Sequence, residues 1–349
     1  MSITLKQVAE KAGVSQATAS LAISGKKAGN RRISPDTVDL VKKAAALIGY
    51  RPNALASSLR NNITHMIGVS LSSISFSSEE TLSGIKQEVY PSFTPVLAVH
   101  NYDGSCEKVE LEAFLSKRVD GVIAAFSGDL DSVEIYRDLV RQYSIPIVLI
   151  NRSVPGLNLP IVRFDHYGGA YNATEALLKL GHKSIHYATV SASKEMMEGH
   201  RLRMEGYKDA MKEAGLKGQV RITSELGKLN WTQKKNLQDV AHVVVDAWQE
   251  YGKPASAMFL DNDWLACAVL GELKIRNIKV PEDVSVMGYG GYNFSALKFI
   301  DLSTVDARSE AIGTEAASLL LKLIAGEQWD GKPIVLPGEI MMGSTTRAV

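Results

Sequence analysis

The stretch "GVSQATASLAISGK", Gly13 to Lys26, is the one on which the reading turns. It opens on a glycine, passes through small residues and ends in lysines. Gly13 supplies the permissive backbone of a tight turn, and Ser15 is a helix cap. In the helix that follows, Ala19, Ala22 and Ile23 fall on the side that packs inward, while Gln16, Ala17, Ser20 and Leu21 are less constrained. Upstream, Thr4 caps a helix beginning at Leu5, with Gln7 as the other half of a capping box. Leu5, Val8, Ala9 and Ala12 share one face of it. Downstream, Ser34, Pro35 and Asp36 give a cap, a proline at the first helical position and an acid in the first turn. Val38, Val41, Ala45 and Ile48 then repeat at helical spacing, and Gly49 ends the helix. Three short helices, the first two joined by a glycine turn, predict a helix-turn-helix unit.

Such a unit reads DNA by placing the start of its second helix in the major groove. That would present Ser15, Gln16, Thr18, Ser20 and Leu21. Gln16 suits a bidentate pair with adenine, and Leu21 an apolar contact with a thymine methyl. The charge distribution agrees. Residues 1–63 hold ten Lys and Arg against Glu10, Asp36 and Asp39, a net charge of +7, so a chain of net charge +1 leaves −6 for the remainder. A basic segment on an acidic body is the footprint of a polyanion partner. The next stretch, "YRPNALASSLRNN" (50–62), breaks the helix at Pro52 and offers Asn53 as a new cap. About eight residues follow, too few for a helix to stand alone in water. With Leu55 and Leu59 four apart among small neighbours, the segment suits minor-groove insertion.

These residues, "TLKQVAEKAGVSQATASLAISGK" (4–26) and "ISPDTVDLVKKAAALIGYRPNALASSLR" (33–60), resemble the headpiece and hinge of the lactose/galactose repressor (LacI/GalR) family of bacterial transcription regulators. The resemblance implies that Leu59 is the intercalating leucine and that Ser15, Gln16, Ala17 and Leu21 read bases. The loop "SGKKAGNRRIS" is longer than usual for the family. It adds Lys26, Lys27, Arg31 and Arg32, whose contacts would be to phosphate and carry no sequence preference. The DNA-binding set expected is thus Thr4, Ser15, Gln16, Ala17, Thr18, Ser20, Leu21, Lys26, Arg31, Asn53 and Leu59.

From about His65 the pattern changes. Apolar runs at "MIGVSL", "TPVLAVHN", "VDGVIAAF", "IPIVLI", "SIHYATV", "ASAMFL" and "VSVMGYG" alternate with amphipathic segments at 79–90, 105–118, 131–143, 167–180, 201–214, 232–251 and 263–276. This alternation predicts parallel sheets covered on both faces, an α/β core with a ligand crevice beyond the strand ends. The landmarks "VDGVI", "IPIVLINR", "LLKLGHKSIHY", "RLRMEGY", "DND", "VPEDVSVMGY" and "LSTV" extend the resemblance to the family's effector-binding core, which is similar to periplasmic sugar-binding proteins. It implies three crossings between two discontinuous subdomains. The expected organisation is a headpiece over 1–50, a hinge over 51–63 and a core over 64–349. Within the core, one subdomain takes about 64–163 and 292–325, the other about 164–291 and 326–349.

For the effector, Arg203 is the leading candidate, since its guanidinium offers a fixed donor fork and its family counterpart contacts ligand. Asp263 is either an acceptor for ligand hydroxyls or a helix cap. Trp231 stands where the family places an aromatic against the ligand, or packs in the core. Asp165 matches a recurrent acid near the cleft, and Ser72, Ser73 and Phe76 follow the first core strand. Gly290, in "GYGG", stands where sugar- and purine-binding members carry an acid. Either another residue supplies the acceptor, or the effector is not an ordinary sugar.

Other functions find no support in the sequence. It holds no G-x-S-x-G elbow, P-loop or H-E-x-x-H. His182 and His186 are four apart, but "GHKSIH" reads as a turn entering a strand, so no metal site is expected, and no cofactor. No run of eighteen apolar residues or signal-peptide core is present, and Cys106 and Cys267 match no metal or redox spacing. The expectation is a cytoplasmic, effector-controlled repressor, not an enzyme and not a secreted solute-binding protein. A two-fold homodimer on a pseudo-palindromic operator follows. The end, "MMGSTTRAV", shows no leucine-heptad tail of the kind that makes four-chain assemblies, which favours dimers and leaves a larger assembly open.

Overall fold

The computed structural model describes residues 3–24, 33–50, 63–189, 198–222, 234–250, 255–291 and 300–349. They divide into two compact units, Met1–His65 and Met66–Val349.

The first unit holds α1 (Leu5–Ala12), α2 (Gln16–Ser24) and α3 (Pro35–Leu47). Each begins on the expected cap. The Gln7 backbone N–H donates to Thr4 Oγ1 at 3.4 Å, and the Thr4 N–H to Gln7 Oε1 at 2.8 Å, closing the capping box. Ser15 Oγ accepts from the Thr18 N–H at 3.1 Å, and Ser34 Oγ from the Thr37 N–H at 3.2 Å. Gly13 ends α1 at φ +64°, where a β-carbon is disfavoured, and the Val14 N–H reaches back to the Ala9 carbonyl at 3.0 Å. The buried centre is Val8, Ala9, Ala12, Ala19, Ala22, Val41 and Ala44. Alanines dominate it, so the helices approach closely and the unit rests on a small core.

The second unit has two parallel sheets. Its elements are β1 (Met66–Leu71), α4 (Phe76–Val89), β2 (Thr94–Val99), α5 (Gly104–Ser116), β3 (Gly121–Ala124), α6 (Val133–Arg141), β4 (Ile147–Ile150), β5 (Ile161–Phe164), α7 (His166–Lys179), β6 (Ile185–Thr189), α8 (Glu198–Glu213), β7 (Gln219–Ile222), α9 (Lys234–Glu250), β8 (Ala257–Leu260), α10 (Asp263–Ile275), β9 (Ser285–Met287), β10 (Thr304–Asp306), α11 (Ser309–Ile324), β11 (Ile334–Leu336) and β12 (Glu339–Met341). One sheet runs β11-β5-β4-β3-β1-β2, the other β7-β6-β8-β9, and β10 pairs antiparallel with β12.

In the larger sheet, alternate residues serve opposite faces, as strand geometry dictates. Ile67, Val69, Leu71 and Ile123 pack with Ala316 and Leu320 of α11, whereas Val122, Ala124 and Leu149 pack with Phe114 and Tyr136. Both faces are therefore apolar, which is why these strands read as continuous runs. Helices α4 and α11 touch almost backbone to backbone. A β-carbon on Gly84 would collide with the Glu310 carbonyl, and one on Gly313 with that of Thr81.

All seven expected helical segments are present, and α11 adds one the alternation did not indicate. The chain passes from β5 into α7. It returns through β10, which is tied to the end of β9 by parallel bridges Met287–Ser303 and Gly290–Asp306. It crosses finally after β11, when the Val286 N–H bonds the Thr345 carbonyl at 2.8 Å. The assignment of 326–349 to the second subdomain is corrected in one part. Strand β11 pairs with β5, Val335 opposite Arg163, because the outer edge of β5 needs a backbone partner. The last crossing therefore falls after Leu336, about ten residues later than expected.

Candidate functional site

Helix α2 divides its residues as a groove-reading helix must. Ala19 and Ala22 are buried in the headpiece core, while Ser15, Gln16 and Ala17 are exposed at its start and Thr18, Ser20 and Leu21 are half-buried. No acid lies within α2. The unsatisfied N–H groups and positive dipole end of a helix start favour approach to phosphate. Thr4 is exposed, but its side chain is engaged with Gln7. Ser15 Oγ likewise holds the Thr18 hydroxyl at 2.8 Å, and Gln16 is an exposed polar side chain of the first turn. Lys26, Arg31, Asn53, Leu59 and Trp231 lie outside the described residues, as does the side chain of Phe76.

In the core, the carboxyl ends of β5, β6, β8 and β9 converge on one polar cluster. At its centre is Asp261, fully buried. Its carboxylate accepts from Tyr187 Oη at 3.0 Å, from Thr189 Oγ1 at 2.7 Å and from His200 Nδ1. Arg203 Nη1 stands 3.4 Å from it and also donates to the Asp261 carbonyl. Burial alone would raise the Asp261 pKa, but the charge of Arg203 and then the field and hydrogen bond of His200 outweigh it and hold the group well below the usual carboxylate range. The Arg203 side chain is only 11% exposed, with its guanidinium carbon 4.5 Å from the centre of the Tyr289 ring. The Tyr289 hydroxyl lies 3.3 Å from His166 Nδ1. Burial, followed by the nearby Arg203 and His200, pushes His166 well below the usual histidine range and keeps it neutral.

Arg203, the leading effector candidate of the sequence, is thus brought into the cluster, where it pairs with Asp261. The other expected acids have internal tasks. Asp165 caps α7, accepting from the Gly168 N–H at 2.8 Å. Asp263 is not the cap of α10; Asn262 is, accepting from the Leu265 N–H at 2.9 Å. The Asp263 carboxylate is buried instead against Thr304 Oγ1 at 2.5 Å, and a β-carbon at Gly288 would collide with it. Ser72 and Ser73 follow β1, half-buried. Gly290 has φ +140° and pairs with the crossing strand, its N–H bonding the Val305 carbonyl at 2.8 Å. An acid there would strain the backbone. Beside it, the Asp306 carboxylate sits over Gly291, where a β-carbon would stand 2.7 Å from its oxygen.

Asp261 opens the "DND" landmark, but nothing local in the sequence marks that acid as buried. Two arginines stand at the carboxyl end of the larger sheet with no local sequence signal to mark them. Arg163 lies 3.8 Å from Glu198, the first residue of α8. Arg152, just beyond β4, donates to the Ser127 carbonyl at 2.6 Å, and a β-carbon on Gly128 would collide with its guanidinium. Trp264, exposed in the first turn of α10, has no such local mark either. His182 precedes β6 and bonds Ser256 and Arg347, while His186 lies within the strand, so the two share no helical face. Among the described residues no cluster of three His, Cys, Asp or Glu side chains could hold a metal, and no helix is long and apolar enough to cross a membrane.

A capped helix-turn-helix followed by two parallel sheets with a polar cluster at their strand ends defines a DNA-binding regulator with a periplasmic-binding-protein-like core. Residues 4–53 match the model of bacterial regulatory proteins of the lacI family, and 174–346 that of a periplasmic binding protein-like domain. The HTH-type transcriptional regulator DegA of Bacillus subtilis is 30% identical, over 99% of this chain and 98% of its own length. Catabolite control protein A of Priestia megaterium is 29% identical, over 99% of this chain and all of its own length. A crystal structure of a LacI-family transcriptional regulator from Silicibacter pomeroyi, 25% identical, superposes with a TM-score of 0.73 over 99% of both chains. The chain belongs to the lacI family of bacterial regulatory proteins.

Proposed function

We propose that this chain is a transcriptional repressor that binds a pseudo-palindromic operator as a homodimer and answers to a small-molecule effector in its core. The observation that carries the DNA-binding half is α2: its alanines are fixed in the headpiece while Gln16 and Ala17 stand exposed on a capped, acid-free first turn. Ser15, Gln16, Ala17, Thr18, Ser20 and Leu21 face base edges, with Thr4, Lys26 and Arg31 toward phosphate. Asn53 begins a hinge segment whose Leu59 enters the minor groove. The effector sits among Ser72, Ser73, Phe76, Asp165, Arg203, Trp231, Asp263 and the backbone at Gly290. Its arrival changes how the two sheets sit and hence the spacing of the hinges, so effector and operator affinities are reciprocally coupled. The protein works by binding, without turnover, in the bacterial cytoplasm.

The test is fluorescence anisotropy of the full chain on a library of palindromic duplexes against random duplex at moderate salt. Preference for one palindrome, shifted by a metabolite, is expected. No preference with or without candidate metabolites overturns the reading.

A further inference from the structure

The chemical class of the effector can be argued from the charges at the carboxyl end of the larger sheet, accepting the effector-responsive regulator proposed above. Arg152 is half-buried there, and its one described hydrogen bond is to a neutral acceptor, the Ser127 carbonyl. No carboxylate among the described residues stands within ion-pair distance of it. The nearby acid, Glu107, is engaged at the N–H of the same residue and at two hydroxyls beyond it. It accepts from the Ser127 N–H at 3.2 Å, from Ser132 Oγ at 2.5 Å and from Tyr136 Oη at 2.6 Å. Gly128 leaves room beneath the guanidinium that any other residue would fill. A cation partly withdrawn from water with only a neutral acceptor is a favourable place for an anion to join it.

The surroundings agree. The charges of Glu198 and Glu107 act on Arg152 without pairing with it, and the 3.8 Å approach of Glu198 to Arg163 brings the start of α8 to this end of the larger sheet. Glu198 leans at 3.8 Å toward Arg163, a long and half-exposed contact that a bound anion can replace. The acids that would receive sugar hydroxyls are engaged elsewhere: Asp261 with Arg203 and His200, Asp263 with Thr304, Asp165 with its helix. Gly290, at the end of the neighbouring strand, has no side chain to offer. We infer that the effector bears an oxyanion, a carboxylate or a phosphate on a small polyol, received by the Arg152 guanidinium, with Arg163 on the neighbouring strand β5 as a second cation at this end of the sheet. A planar fork of donors matches either group.

Isothermal titration calorimetry and thermal melting of the full chain test this with glucose, glucuronate, glucose 6-phosphate and inorganic phosphate, at constant ionic strength in chloride. At least one charged probe is expected to bind about tenfold or more tightly than glucose. Arg152→Met should bring that probe down to the level of glucose. Arg152→Lys, which keeps the charge but not the fork, should lose part of the preference and serves where the methionine variant does not fold. The carboxylate and phosphate arms identify which oxyanion is preferred. The inference is overturned if glucose binds as tightly as its charged relatives, if no charged probe binds at all, or if the charged probe binds both variants as it does the wild type. Operator binding is measured in the same samples without probe. If it is intact while anion preference is absent, only this inference fails; if the wild type prefers no operator, the regulator reading fails.

Discussion

Replacing Asp261 with Asn removes one charge from the centre of the core and leaves its shape. The asparagine can still accept from Thr189 or Tyr187, but Arg203, 11% exposed, loses its counter-ion, and His200 loses the acceptor for Nδ1. Removing one partner of a buried pair costs about 3–5 kcal/mol. Retained hydrogen bonding puts this variant near the lower end, about 3 kcal/mol, or roughly 6–12 °C in Tm for a domain of this size. All four tryptophans, at 231, 248, 264 and 329, lie in the core, so their fluorescence follows that unit without interference from the headpiece. The pH dependence has a definite sign. Asp261 is held below its ordinary pKa when folded, so its contribution is complete above the unfolded value of about 3.9 and is lost as pH falls toward the folded value. Denaturant melts at pH 7 should separate wild type from Asp261→Asn, and the gap should narrow progressively as pH falls below about 4. A variant within about 1 kcal/mol of wild type at pH 7, or a gap that persists unchanged in acid, refutes the reasoning.

Gln16→Ala should weaken operator binding by about 1–3 kcal/mol and relax preference at one operator position, with core melting unchanged, as read by anisotropy against single-base operator variants. Leu59→Ala should weaken operator binding far more than effector binding, whereas Arg203→Ala should leave operator affinity and abolish the effector response. Equal losses in both assays would count against separate sites. Gly290→Asp should destabilise the core by about 1–3 kcal/mol because φ +140° suits only glycine, and thermal melting checks it.

How far the sequence reached depends on the range of each interaction. The caps at Thr4, Ser15 and Ser34 and the turn at Gly13 involve groups three to five residues apart, and all were legible. Six of the seven apolar runs are strands buried on both faces, which leaves them little other composition, while β2, at the edge of its sheet, stays partly exposed. Helix α11 was not legible. "SLLLKLI" is apolar on too many sides to show an amphipathic period, and the glycine that seats it, Gly313, meets the Thr81 carbonyl more than two hundred residues earlier in the chain.

The headpiece, its reading helix and the α/β character of the core were therefore written locally, by caps, turns and periodicity. Tertiary structure decided that β11 joins the first sheet, that Asn262 caps α10 while Asp263 is buried, that Asp261 pairs with Arg203, and that Arg152 stands over Gly128 with no carboxylate among the described residues at ion-pair distance. The reason is that a charge's role depends on what shares its low-dielectric surroundings. For Asp261 those partners come from 58 to 74 residues away, brought together only when the sheets form.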